Sequence, residues 1–353
     1  MRVRRVAAID CGTNSIRLLI ADVDPAGTGL HEVTRLMEIV RLGQGVDRTG
    51  QFHPDALART LQATSTYAQL CREHGVEQVR FVATSASRDA SNREEFFAGV
   101  RDRLGVEVEI ISGAEEAALS FTGAISVLPD GDGSAEQGTP DGDGSAERGT
   151  PDGDGSAGQG GPGSDGPGRG RLVVDIGGGS TELVLGAGRT LQADTSMNIG
   201  CVRMAERHLN SDPPTTEEIA RARADIDAAL DQAEHDVPLS QVRTVVGVAG
   251  SVTTVTAHVL GLPEYDRERI NGARLPLSGV HHGCADLLGM PRAQRARLPY
   301  MHPGRVDVIG AGALVWTAVL DRIDRRVRAG GGVLGPIVTS EHDILDGIAL
   351  SMA

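Results

Sequence analysis

The sequence predicts an α/β protein of two related halves facing each other across a cleft. Three observations carry that prediction. Hydrophobic residues make up 40% of the 353-residue chain and aromatics only 3%, so the core must be Val, Ile, Leu and Ala, as in parallel sheets covered by helices. The length is enough for two modest domains. A strand–turn–strand unit opens the chain, returns near its middle, and is followed each time by helical patterns.

The first unit reads Val6-Ala7-Ala8-Ile9-Asp10-Cys11-Gly12-Thr13-Asn14-Ser15 and continues Ile16 to Val23. The second reads Leu172-Val173-Val174-Asp175-Ile176-Gly177-Gly178-Gly179-Ser180-Thr181 and continues Glu182 to Leu185. Residues after each glycine turn are β-branched and alternating, which predicts a hairpin instead of the strand-to-helix step of a dinucleotide fold. Helices are expected at Pro54–His74, Asn92–Leu104, Ala114–Val127, Val202–Leu209, Thr216–His235, Gly279–Leu288, Ala311–Val327 and Ile344–Ala353. The last follows Ser340-Glu341-His342-Asp343, a capping region.

Residues 129–170 are different in kind. An eleven-residue Pro-Asp-Gly-Asp-Gly-Ser-type unit starts at Pro129, Pro140 and Pro151, with no large apolar residue to bury. Such a stretch cannot offset the entropy of ordering and is expected to be a disordered insertion. Its Asp-Gly-Asp-Gly-Ser pattern lacks the glutamate and flanking helices of a calcium loop. The domains are therefore expected at 1–128 and 171–340, with the helix in 341–353 able to pack back on the first.

Charge and composition remove several functions. The formal charge is −14, which argues against a general nucleic-acid binder. Nine acids against two arginines place half of it in 129–170. All 34 basic residues are arginine, so the lysine of P-loops, pyridoxal enzymes, protein kinases and Schiff-base aldolases is missing. Cys11, Cys71, Cys201 and Cys284 show neither pairing nor metal-ligand spacing, as expected of idle thiols in a reducing compartment. Asp10 cuts the N-terminal apolar run too short for a signal peptide, and Val308–Leu320 is too short to span a bilayer. A soluble, cytoplasmic protein is expected.

The chemistry is expected at the turns. Backbone N–H groups at a glycine turn, with neighbouring hydroxyl and amide donors, can hold phosphate, and the preceding carboxylate can hold a metal. Asp10 with Gly12, Thr13, Asn14 and Ser15, and Asp175 with Gly177, Gly178, Gly179, Ser180 and Thr181, each supply that set. One such turn serves a plain hairpin as readily; two opposed copies favour function. Val246 to Thr254 is a third candidate, a strand running into Gly250-Ser251 and a helix N-terminus that suits an anion, or else a tight turn capped by Ser251.

These residues resemble the exopolyphosphatase/guanosine pentaphosphate phosphohydrolase family, within the superfamily of actin, sugar kinases and heat-shock chaperones, and most closely its short actinobacterial members. The resemblance covers nearly all of the chain outside 129–170. It is carried by the two hairpins, Arg41-Leu42-Gly43-Gln44-Gly45, Ala83-Thr84-Ser85-Ala86-Ser87-Arg88, Ile111-Ser112-Gly113-Ala114-Glu115-Glu116-Ala117 and Gly200-Cys201-Val202. The hairpins mark the superfamily; the Ala-Thr-Ser…Arg and Ser-Gly-x-Glu-Glu-Ala segments mark the family.

The resemblance implies two actin-like, ribonuclease-H-like domains around a central cleft. It implies that Glu116 is the general base for an attacking water and Arg88 the arginine gripping the phosphoryl group. Asp175 and Glu182 would hold magnesium (Mg2+), beside Asp10, whose place before the first turn already makes it a metal candidate, and a homodimer is implied. The activity implied is release of terminal phosphate from inorganic polyphosphate, with guanosine pentaphosphate as a further or alternative substrate. A weakly catalytic polyphosphate- or alarmone-binding sensor and a superfamily kinase are the other readings. By residue type alone, Arg88 could pair with Asp89 or Glu94, and Glu116 or Glu115 could form a solvated helix face. Two departures stand out: Gly250-Ser251-Val252 where members read Gly-Gly-Thr or Ser-Gly-Thr, and Leu345-Asp346-Gly347 where they read Arg-Glu-Gly. The longer members' additional helical domain has no counterpart, which favours shorter polyphosphate chains.

Overall fold

A computed structural model describes residues 3–24, 29–126 and 170–353. The first half contributes strands β1 (Arg4–Cys11), β2 (Ser15–Val23), β3 (Leu30–Ile39), β4 (Gln78–Ala83) and β5 (Val108–Ile110). Its helices are α1 (Val46–Thr49), α2 (Pro54–Glu73), α3 (Ser85–Asp89), α4 (Arg93–Leu104) and α5 (Gly113–Ile125). The second half supplies β6 (Gly170–Ile176), β7 (Thr181–Ala187), β8 (Thr190–Met197), β9 (Val242–Val248), β10 (Arg274–Leu275) and β11 (Ile337–Thr339). With them come α6 (Cys201–His208), α7 (Thr216–Asp236), α8 (Ala249–Val259), α9 (Arg267–Ile270), α10 (Leu277–Gly289), α11 (Arg292–Arg295), α12 (Ile309–Ala329) and α13 (Ile344–Leu350).

The sheets repeat one plan. The first runs β3-β2-β1-β4-β5 and the second β8-β7-β6-β9-β11, with β10 added at its edge. In each, three antiparallel strands precede parallel additions, β4 and β5 in one, β9 and β11 in the other. Both opening units are antiparallel hairpins. This is the actin-like architecture of two ribonuclease-H-like halves. Central strands read as continuous apolar runs because both faces are covered: Val6 to Ile9 and Leu172 to Val174 are fully buried.

The largest core packs α7, α8, α10 and α12 on the second sheet around Trp316; another places Tyr67, Phe81 and Phe96 under α2 and α4. A third joins Ile344, Leu345 and Ile348 of α13 to Val6, Ala8 and Leu19 of the first sheet. Thus the final helix returns to the half where the chain began, crossing α5 on the way.

The long helices start where their caps lie. Thr215 and Glu218 form a capping box at α7, and Ser112 accepts from the Glu115 N–H at α5. Two boundaries are corrected. Gly170, assigned to the insertion, is the first residue of β6 and pairs with Val242. Helix α13 ends at Leu350, not Ala353, because the Met352 and Ala353 N–H groups turn to Ala349 O and Leu350 O, three residues back, and leave the α-helical ladder. The rest of the 129–170 stretch lies outside the described residues. Among the described residues no helix is long and apolar enough to cross a membrane.

Candidate active site

Turns of equal length fix the geometry of both hairpins. The Gly12 N–H donates to Ser15 O at 2.9 Å, and the Gly177 N–H to Ser180 O at 3.0 Å. That spacing sets Asp10 opposite Arg17 and Asp175 opposite Glu182, one pair in each sheet. Equivalent positions thus hold a salt bridge in one half and two acids in the other.

The hairpins meet at their glycines. A Cβ on Gly178 would lie 3.0 Å from Thr13 Cβ and 3.1 Å from Asn14 N; one on Gly179 would lie 2.2 Å from Ser85 Oγ. Only glycine permits this approach. Between them is a cavity walled by Asp10, Gly12 to Ser15, Glu116, Asp175, Gly177 to Ser180, Gly250 and Ser251. Arg17, Thr84, Ser85 and Arg305 complete the polar part of that wall.

Glu116 enters from the first turn of α5, whose dipole favours a carboxylate there. Arg88 Nη1 donates to Glu116 Oε2 at 2.9 Å and to the Ile111 carbonyl at 2.9 Å. Arg88 therefore grips Glu116; it pairs with neither Asp89 nor Glu94 and is not part of the cavity wall. Glu115 is exposed and bonded to Arg80. Glu182 also stands behind the wall, 1% exposed, with Ser196 Oγ donating to it at 2.7 Å.

Five carboxylates crowd this region: Asp10, Glu116, Asp175, Glu182 and Asp343. Arg17 spans Asp10 (2.6 Å) and Asp343, and Arg88 holds Glu116. Ser120, one turn along α5 from Glu116, donates to Asp175 Oδ2 at 2.5 Å. Burial lifts Glu116 to about 7 against the pull of Arg88, with Asp175 and Asp10 adding to the rise. Burial likewise raises Asp175, Glu182 and Asp10 above the ordinary carboxylate range.

Two guanidinium groups among five acids leave a negative excess that a divalent cation fits. Asn14 Oδ1 is buried without a hydrogen-bond partner, another hard oxygen facing the same need. Among the described residues no three His, Cys, Asp or Glu side chains are grouped so as to hold a metal ion by themselves. Magnesium does not need such a group: it commonly takes one or two carboxylates, waters and substrate phosphate oxygens.

At the third turn β9 gives way to Ala249, the first residue of α8, held at φ 67°, a left-handed conformation that costs a non-glycine residue about 1 kcal/mol. Helix α8 then begins with no side-chain cap, leaving its first N–H groups facing the cavity edge. Arg305 lies across Gly250, bonds Thr254 Oγ1 at 3.2 Å, and has no carboxylate partner among the described residues. Beyond it a second, larger cavity shares Arg17, Met37, Ala249, Gly250 and Arg305 with the first. Tyr265, Tyr300, Met301 and Pro299 give this space an apolar side, and Glu341 closes it.

Sequence reasoning missed Arg17, Ser120, Arg305 and Asp343. A signal for Arg17 existed: counting outward from the turn sets it opposite Asp10. Asp343 is a helix cap, as expected, but its carboxylate also reaches Arg17 from the far end of the chain. Asp346, at the altered C-terminal element, bonds Arg35 and His342 and is not in either cavity wall.

Comparison with known proteins agrees with this geometry. A family model described as the Ppx/GppA phosphatase family matches residues 19–134 and 165–333. Exopolyphosphatase 2 of Mycobacterium tuberculosis is 47% identical over 360 residues, covering 100% of both chains. A guanosine-5'-triphosphate,3'-diphosphate pyrophosphatase of Aeromonas salmonicida is 27% identical, covering 96% of this chain and 60% of its own. The crystal structure of an exopolyphosphatase-like protein superposes with a TM-score of 0.87 at 43% identity, covering 100% of this chain and 98% of that one.

Proposed function

The chain belongs to the Ppx/GppA phosphatase family, and from that premise we propose that it is an exopolyphosphatase, releasing terminal phosphate from inorganic polyphosphate by attack of water. The observation that carries the reading is the convergence of Glu116, Asp10 and Asp175 with three glycine turns around one cavity.

Phosphoryl transfer calls for positioning and charge neutralisation more than covalent help. The hydroxyls of the Gly12–Ser15 and Gly177–Ser180 turns, with the N–H groups not used to close them, seat the chain end. Arg17 and Arg305 face its oxygens, the role first expected of Arg88. Glu116, poised near neutrality, takes the proton of the attacking water. Arg88 fixes the direction in which that carboxylate points. Asp175 and Asp10 would hold magnesium, with Glu182 behind Asp175; a bound ion would neutralise charge on the phosphoryl oxygens.

Guanosine pentaphosphate is a second reading favoured by one observation. The larger cavity offers tyrosine and methionine surface beside the phosphate site, and a bare phosphate chain has no use for apolar walls. The test is parallel phosphate release, by malachite green with magnesium, from defined-length polyphosphates and guanosine pentaphosphate. Release from polyphosphate is expected; none from either substrate at any length would leave a binding protein. The reading includes a cytoplasmic homodimer, and light scattering showing a monomer at micromolar concentration would remove the dimer.

A further inference from the structure

The segment 40–47 makes no wall of the main cavity, yet its first residues are bound to the first hairpin. The Val40 and Arg41 N–H groups donate to Asn14 O at 3.1 and 2.9 Å, and the Gly43 N–H to Thr13 O at 2.8 Å. Beyond Gly45 it turns into α1 and presents Asp47 to α6 of the other half.

There Arg203 receives it. Arg203 Nε donates to the Gly179 carbonyl at 2.9 Å, one terminal nitrogen donates to Asp47, and the other to Asp89 Oδ2 at 2.6 Å. Its backbone N–H donates to Gly178 O at 3.2 Å. Arg207 holds Asp47 from the other side, at 2.6 and 2.8 Å, and the Gly45 N–H reaches Glu206 at 3.1 Å. One guanidinium thus joins the second phosphate hairpin to two carboxylates of the opposite half.

We propose that Arg203 is a positioning residue that ties the aim of the Gly177–Ser180 hairpin to closure of the cleft. The proposal rests on the phosphohydrolase reading of that cleft. The peptide after Gly179 is planar, so a carbonyl turned to Arg203 sends the Ser180 N–H the opposite way, and Ser180 lines the main cavity. With the cleft shut, Asp47 and Asp89 fix the guanidinium and the guanidinium fixes the carbonyl. With it open, both carboxylates leave with the first half, the guanidinium is free to turn, and the Gly179 carbonyl keeps only the Gly200 N–H, at 3.2 Å, as a fixed donor. Arg203 itself is not offered to substrate: its three nitrogens are committed, its side chain is 10% exposed, and it lines only a narrow crevice behind the hairpins. Isolated exposed ion pairs contribute little, but a nearly buried arginine with three fixed acceptors forms a charge-assisted network.

The test is a double-mutant cycle with Arg203→Met, Asp47→Asn and their combination, read as kcat and KM on a short polyphosphate. Asp47→Asn changes no shape at a partly exposed site and keeps the fold. Each single change is expected to lower kcat about tenfold with a smaller effect on KM, and the combination to do no more than Arg203→Met. Arg203→Lys is expected to stay impaired, since an ammonium cannot serve three acceptors as a fork. Independently of activity, spin labels on Gln51→Cys and Ser211→Cys report the separation of the halves; all four native thiols are buried. The label distance should lengthen and broaden in Asp47→Asn without substrate. Additive losses in kcat, or unchanged label distances, overturn the proposal. A wild-type protein that releases no phosphate defeats the exopolyphosphatase reading instead, while the label distances still decide whether Arg203 couples the hairpin to closure.

Discussion

Replacing Gly123 with alanine tests whether the crossing of α5 and α13 holds the site together. A Cβ at Gly123 would stand 1.8 Å from the Asp343 carbonyl oxygen, 2.7 Å from its carbon and 3.0 Å from Gly347 N. The atoms in the way are backbone, at the cap of a helix pinned by Arg17 and Arg35, so no side chain can swing aside. In an open helix the same change gains roughly 1 kcal/mol. Here overpacking should cost roughly 3 kcal/mol, the upper end of the usual range, because the shortfall exceeds 1 Å against backbone. The net loss is about 2 kcal/mol, or a fall in Tm of roughly 4 to 8 °C at about 2 to 4 °C per kcal/mol. Activity should fall as well, because α5 carries Glu116 and Ser120. Gly289→Ala in α10 is the control: nothing lies within 4 Å of its added carbon, so Tm should hold or rise slightly. Calorimetry on both variants decides. A Gly123→Ala protein as stable as wild type, or a control equally damaged, would refute the reasoning.

The remaining expectations are shorter. Glu116→Gln should reduce phosphate release by roughly 10²- to 10⁴-fold, the usual contribution of a general base, while polyphosphate binding by calorimetry changes little; an active variant would remove Glu116 from that role. Chelation should abolish release and added magnesium restore it, and Asp175→Asn should raise the magnesium concentration needed for half-maximal rate. Burial would raise Asp346, but His342 and Arg35 outweigh it and hold the carboxyl at about 2. A depressed carboxyl contributes stability above its unfolded value, near 3.8, and loses it as pH falls through 2. Urea unfolding at pH 6 should therefore show Asp346→Asn weaker by roughly 2 kcal/mol, a gap that closes toward pH 2; a gap independent of pH would assign the loss to packing.

What the sequence disclosed followed the range of the interaction responsible. Both hairpins were legible because an Asp-x-Gly turn and an alternating strand are decided within ten residues. Glu116 was legible from Ser-Gly-x-Glu-Glu-Ala, where Ser112 caps the helix that presents it. The partner of Arg88 was not: Glu116 lies 28 residues away, and Arg88 read from its family segment as a grip on phosphate, or else as a partner of nearby Asp89 or Glu94. Arg17 with Asp343 joins positions 326 apart, a pairing that exists only once α13 has crossed α5. Arg305 was hidden for another reason, since an arginine's vacancy is visible only when every nearby acid has been paired off. The short helices α1, α3, α9 and α11 were missed because four or five residues carry too little periodicity to register.

Turn length alone decides that Arg17 and Glu182 occupy the same station in the two hairpins. A duplicated scaffold has thereby become electrically lopsided: one lobe sets an arginine opposite its aspartate, and the other sets a second acid there. Inorganic polyphosphate has identical ends and no chemical direction of its own. On the proposed reading, this single difference in side chain tells the enzyme which flank of the terminal group is to meet metal and which is to meet arginine.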